Sequence, residues 1–199
     1  NQLTIEIDAE VRLGFAVEEI MAFASEKSPL LTIVSSRHRS AWERLLSGSI
    51  LKPLLQQLPT PILITPEKNV FSPPKEVLYA SDFNERDMQP FHVQKTLLHP
   101  FDYSLSCLHI DTEKAPDYSA HEMNTLKTQI ETVLAPHRVN VKIQEGLDAS
   151  EGIQAYVQSH PTDLICTYST HKSFFEQLLE GSLTRQLATQ MNRPILALR

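Results

Sequence analysis

Residues 31–63 read LTIVSSRHRSAWERLLSGSILKPLLQQLPTPIL, and residues 164–196 read LICTYSTHKSFFEQLLEGSLTRQLATQMNRPIL. The two stretches align without a gap at an offset of 133 residues. Leu31 falls on Leu164, Ser36 on Ser169, His38 on His171 and Ser40 on Ser173. Leu45-Leu46 falls on Leu178-Leu179, Gly48-Ser49 on Gly181-Ser182, and Pro61-Ile62-Leu63 on Pro194-Ile195-Leu196. The same offset carries Ala16, Glu18 and Ile20 onto Ala149, Glu151 and Ile153. Self-similarity at a fixed offset over two separate stretches is the signature of a duplicated unit.

Between the copies, residues 65–74 (TPEKNVFSPP) are rich in proline and polar residues and read as a connection. The expected organisation is therefore a partial first repeat over 1–66, a linker over 67–74 and a complete second repeat over 75–199.

The second repeat alternates two periodicities. Val77 to Ala80, Ser104 to Ile110, Val139 to Ile143, Asp163 to Thr167 and Pro194 to Leu198 are short apolar runs, read as strands. Between them lie four helical patterns. Glu85 to His99 carries Pro90 in its first turn, where proline is tolerated. Ser119 to Leu134 spaces Met123, Leu126, Ile130 and Leu134 for one helix face. Ala149 to Ser159 opens at an Asp148/Ser150 capping region, and Ser173 to Met191 forms the last helix. Five strands alternating with helices predict an α/β fold: a doubly wound, parallel five-stranded sheet covered on both faces, Rossmann-like.

The first repeat shows only the later half of that pattern. Its third strand is expected from Leu3 to Ile7, or on to Leu13, its third helix from Phe15 to Lys27, and its fourth strand from Leu30 to Val34. A fourth helix from Ser40 to Leu58 and a fifth strand from Ile62 to Thr65 complete it. Half of such a sheet exposes a large apolar face. The expectation is that the first half of this repeat existed in the natural protein.

Composition narrows the function classes. Net charge is −6, with 24 acidic against 18 basic residues, which lacks the basic excess of a nucleic-acid binder. No apolar run reaches the length of a membrane span. Cys107 and Cys166 lie in apolar runs without close ligand spacing and read as buried, reduced thiols. His92, His99 and His109 have no metal-ligand spacing, so no metal is expected. Glu-Gly-Ser182-Leu-Thr is not a nucleophile elbow, so no catalytic residue is assigned.

The ordered set Val77-Leu-Tyr-Ala-Ser-Asp-Phe83, Leu108-His-Ile110, Glu145-Gly146, Asp163-Leu-Ile165, Leu178-Leu-Glu-Gly-Ser182 and Arg193-Pro-Ile-Leu196 resembles the tandem universal stress proteins over essentially the whole chain. Leu45-Leu-Ser-Gly-Ser49 and Thr60-Pro-Ile-Leu63 repeat the resemblance in the first copy. ATP-binding members of that family carry Gly-x-x-Gly, nine residues, then Gly-Ser or Gly-Thr, so that backbone N–H groups close on phosphates.

Here the spacing persists without the early glycines. Those positions hold Ser35 and His38 ahead of Gly48-Ser49, and Tyr168 and His171 ahead of Gly181-Ser182. The resemblance is therefore to the branch that lacks these glycines and does not bind ATP, and no cofactor is expected. The alternative is ATP or another adenine nucleotide held by the second repeat. Its candidate nucleotide- or anion-binding residues are Asp82, Ser169, His171, Ser173, Gly181 and Ser182, with Ser36, His38, Ser40, Gly48 and Ser49 as first-repeat equivalents. Several have a plainer reading: a polar loop for His38 and His171, a helix cap for Asp82, a tight helix approach for Gly181-Ser182.

The resemblance further implies a cytoplasmic, non-catalytic stress-response protein acting through protein contacts. Antiparallel pairing of fifth strands, within the chain or in a homodimer, would cover the apolar edges at Ile62–Ile64 and Ile195–Leu198. An unknown protein partner is expected, and neither nucleic acid nor membrane. A flavin or electron-transfer protein of the same general fold is the remaining reading.

Overall fold

The computed structural model describes residues 5–35, 50–66, 71–81, 88–111, 119–146, 148–168 and 193–199. In chain order the strands are β1 (Thr32–Ser35), β2 (Ile62–Thr65), β3 (Glu76–Ala80), β4 (Ser104–Asp111), β5 (Arg138–Glu145), β6 (Leu164–Tyr168) and β7 (Ile195–Leu198). The helices are α1 (Ala16–Lys27), α2 (Leu51–Gln57), α3 (Gln89–Leu98), α4 (Ala120–Leu134) and α5 (Ala149–Ser159).

Local chemistry sets the helix ends. Pro90 occupies the first turn of α3, where its missing N–H has no intrahelical acceptor in any case. Ser119 and Glu122 form a reciprocal capping box at the start of α4: Glu122 N–H donates to Ser119 Oγ at 3.2 Å, and Ser119 N–H donates to Glu122 Oε2 at 2.9 Å. The Ser119 hydroxyl, donating to Glu122 Oε2 at 2.8 Å, and then the Ser119 N–H hold the Glu122 carboxyl below the usual glutamate range. At α5, Asp148 Oδ1 accepts from Glu151 N–H at 3.2 Å, so the cap lies at the aspartate end of the expected region. Ser28 ends α1 in the left-handed conformation, its N–H bonded to Ala24 O at 2.8 Å.

All seven strands join one sheet in the order β1-β2-β7-β6-β3-β4-β5. The second repeat supplies the parallel five-stranded part β7-β6-β3-β4-β5. In it the strands stand fifth, fourth, first, second, third. The first repeat adds its parallel pair β1-β2, and the two repeats meet where β2 runs antiparallel to β7. The pair β1-β2 thus extends the sheet of residues 76–198 and does not form a layer of its own.

Each face of the sheet has its own core. On one face, α1, α2 and α5 cover Ile62, Ile64, Leu78, Leu108, Ile110, Ile165 and Ile195. On the other, α3 and α4 cover Tyr79, Leu105, Cys107, Val139, Cys166 and Leu198 with Phe91, Ile130 and Leu134. Cys107 and Cys166 are both buried, and neither is in a disulfide. Arg199, at the end of the second repeat, donates to the carbonyls of Leu55 and Gln56 in α2 of the first. It supplies positive charge where the C-terminal carbonyls of α2 lack intrahelical partners.

One expected element is absent. Residues 5–13 form no strand, and Ile5, Ile7, Val11 and Leu13 are exposed. The strand order explains this. A third strand pairs with a second strand, as β5 does with β4. Among the described residues, none stands beside residues 5–13 as such a neighbour. Alternating apolar sequence without a ladder partner leaves backbone groups to water, and the strand does not form. Arg12 instead ties this segment to α1 through Glu26 at 3.1 Å and lies over the Phe23 ring.

Candidate functional site

In a doubly wound sheet, ligands collect beyond the carboxyl ends of the strands, where the strand order reverses. That place lies between β3 and β6. From β3 the chain moves outward to β4 and β5, then returns to the other side of β3 as β6.

The strand sequences deliver specific groups to this edge. After Glu76, β3 is apolar to its end at Ala80, and Ser81 follows it; both Ala80 and Ser81 are buried. Ser81 N–H donates to Leu108 O at 3.0 Å, prolonging the β3–β4 pairing by one residue. His109 Nδ1 lies 3.0 Å from Ser81 O, which fixes the imidazole beside the end of β3. Across the reversal, β6 ends at Thr167, 2% exposed, and half-buried Tyr168. Thr167 lies opposite Ala80 in the register. Its Oγ1 is buried and has no hydrogen-bond partner among the described residues. Tyr168 packs its ring on the α3/α4 side of the sheet, against the cluster that contains Leu196 and Leu198.

At the ends of β4 and β5, Gly146 N–H donates to Asp111 O at 3.0 Å. Ile110 presses against both nearby glycines: a Cβ at Gly146 would meet it at 2.9 Å, and one at Gly152 at 2.8 Å. Glycine at these positions lets α5 come close to β4, which sets how tightly the carboxyl edge is closed.

The sequence-predicted site residues Asp82, Ser169, His171, Ser173, Gly181 and Ser182 lie outside the described residues, as do Ser36, His38, Ser40, Gly48 and Ser49. Asp82 is next in sequence after Ser81, and Ser169 after Tyr168. Three groups at this edge were missed by sequence reasoning: the orphan Thr167 hydroxyl, His109 and Gly152. A polar residue closing an otherwise apolar strand was the available signal for Thr167, and a helix-interior glycine for Gly152.

Among the described residues, no group of three or more His, Cys, Asp or Glu is placed to hold a metal ion, and no helix is long and apolar enough to cross a membrane.

The architecture has a solved counterpart. The crystal structure of a universal stress protein from Archaeoglobus fulgidus DSM 4304 superposes with a TM-score of 0.68 at 18% sequence identity. The match covers 92% of this chain and 64% of that one, so the chain spans less than two thirds of that protein's length. No curated protein matches the chain. The Universal stress protein family model matches residues 1–66 and 74–199, nearly the whole sequence in two segments. The chain therefore belongs to the universal stress protein family.

Proposed function

We propose that this chain is a non-catalytic, cytoplasmic stress-response protein that works through protein contacts and does not use ATP. The observation that carries the proposal is Tyr168. It stands at the end of β6, where nucleotide-binding relatives place the first glycine of their phosphate loop, and its ring is packed onto the sheet. A phosphate held by backbone N–H groups needs that approach free of side chains. The second early glycine position holds His171.

The acting surface on this reading is made of sheet edges and apolar faces. The fifth strands already pair within the chain, so a homodimer or an unknown partner protein would use other surfaces, such as the open side of β1. The test is the nucleotide content of protein purified under native conditions, read by acid extraction and chromatography. Nucleotide-free protein supports the proposal, and stoichiometric ATP defeats it.

One observation favours a second reading, a nucleotide- or anion-binding switch built on the second repeat. The Thr167 hydroxyl is buried at the carboxyl edge without a partner among the described residues, and a buried hydroxyl left unpaired costs about 1–3 kcal/mol. A ligand could repay that cost with Asp82 and Gly181-Ser182 as neighbours in the family pattern. Phosphate or AMP binding that Thr167→Val abolishes would establish this reading. Equal behaviour of wild type and Thr167→Val towards both ligands would remove it.

A further inference from the structure

Residues 5–13 read IEIDAEVRL, so Ile5, Ile7, Ala9, Val11 and Leu13 alternate with Glu6, Asp8, Glu10 and Arg12. Two such faces are the mark of a half-buried strand. The segment nevertheless forms no ladder among the described residues, and Ile5 and Ile7 are 80% and 86% exposed. β5 presents the complementary situation. It ends the sheet order and pairs on one side only, with β4. Its side chains divide into two rows. Val139 and Val141 join the core beneath α4, and Ile143 continues their row at 37% exposure. Arg138, Asn140 and Lys142 form the opposite row and are exposed.

Laid antiparallel on β5, the segment matches it pair by pair. With Ile7 opposite Val141, Ile5 falls opposite Ile143 and Ala9 opposite Val139, all on the α4 side. The same register sets Glu6 opposite Lys142, Asp8 opposite Asn140 and Glu10 opposite Arg138. Directly opposite residues share a face, so apolar meets apolar and each cation meets a carboxylate. A slip of one residue would set every apolar side chain against a polar one. No other antiparallel register of residues 5–13 pairs both cations with carboxylates, and the parallel register that does so sets Leu13 against Glu145. The match cannot be made within one molecule. The segment leads through α1 into β1, and Arg12 holds it to α1 through Glu26. β1 stands six strand spacings from β5, about 29 Å across the sheet.

We infer that residues 5–10 of one copy add as an antiparallel strand to the open edge of β5 in a second copy. Both halves of the match lie in this chain, which selects a second copy as the occupant. Main-chain hydrogen bonds of the added strand give affinity, and the alternating side chains fix the register. Ile5 and Ile7 leave water beside Ile143 and Val141. Lys142 donates to Tyr156 Oη at 3.3 Å and retains two N–H donors for Glu6. Glu10 keeps its contact with Arg12 at 2.6 Å, since both lie on one side of the added strand. Each copy carries one segment and one edge, so the contact is heterologous.

The test is analytical ultracentrifugation over a concentration series. The chain should associate reversibly as its concentration rises. Glu6→Lys/Glu10→Lys and Arg138→Glu/Lys142→Glu should each weaken association at least about tenfold, because both facing pairs become like-charged. An equimolar mixture of the two double variants should restore association, since every segment then has an edge of opposite charge available. The fourfold variant, which keeps the net charge of the wild type, should restore it too. A chain that stays monomeric at every concentration overturns the inference. So does association that neither double variant weakens, or that the mixture and the fourfold variant fail to restore. Association that both double variants retain and Ile33→Lys abolishes assigns the contact to the open edge of β1, and overturns it as well.

Discussion

Gly152 sits inside α5, where alanine would normally favour the helix by roughly 1 kcal/mol. The close approach of Ile110 opposes that gain. A methyl there would stand 2.8 Å from Ile110, itself buried beneath the helix, and overpacking of this kind costs about 1–3 kcal/mol. Gly152→Ala is therefore expected to destabilise the protein on balance. Ile110→Ala removes the opposing atoms, so the double variant should lose less than the two singles combined; denaturant midpoints for the four proteins check this. Burial also acts on Tyr103, stacked on His137 and accepting from Gln94 at 3.3 Å. Desolvation pushes its hydroxyl up to about 12 from an ordinary value of 10.0. The folded form holds the proton more tightly, so the contribution of Tyr103 is complete below pH 10 and fades as pH rises towards about 12. Tyr103→Phe should flatten that alkaline decline in a pH series of thermal melts. Gly152 and Thr167 show what the sequence alone withheld at this scale. A helix-interior glycine and a strand-end threonine carry no mark of what they face until the neighbouring strand is in place.

Element by element, the described strands and helices of the second repeat were readable because each carries a clear periodicity, while the helix expected from Ser173 to Met191 lies outside the described residues. An apolar run with partners on both sides is a buried strand, and α4 announces itself through its capping box and its apolar spacing. Residues 5–13 failed for the complementary reason. Their alternation is as clear as that of β5, yet a strand is a pairing rather than a property of one segment. The seam between repeats rests on the same logic. Ile62 in β2 is 2% exposed and faces Ala197. Ile62→Ala removes buried surface at the joint and should cost about 2–5 kcal/mol, in one cooperative transition if the repeats unfold together. Two separate transitions in the wild-type calorimetric trace would contradict the single continuous sheet.

At the scale of the whole molecule, duplication was the informative signal. The motifs of the second repeat carried the resemblance to the family, and the 133-residue offset gave the repeated order of elements. It could not show that the two repeats would share one sheet, since edge pairing depends on registers formed between segments far apart in sequence. Nor does it place the residues after β6 relative to Thr167 and Tyr168. The functional account rests on Tyr168 and His171 standing where phosphate-binding glycines would be required. The most direct measurement is a thermal-shift titration with ATP, with and without Mg²⁺. A ligand at one hundred times its dissociation constant stabilises by about 2.7 kcal/mol, which moves the melting temperature of a protein this size by roughly 5–10 °C. The account predicts no saturable shift at millimolar ATP, and a saturable rise of several degrees would contradict it.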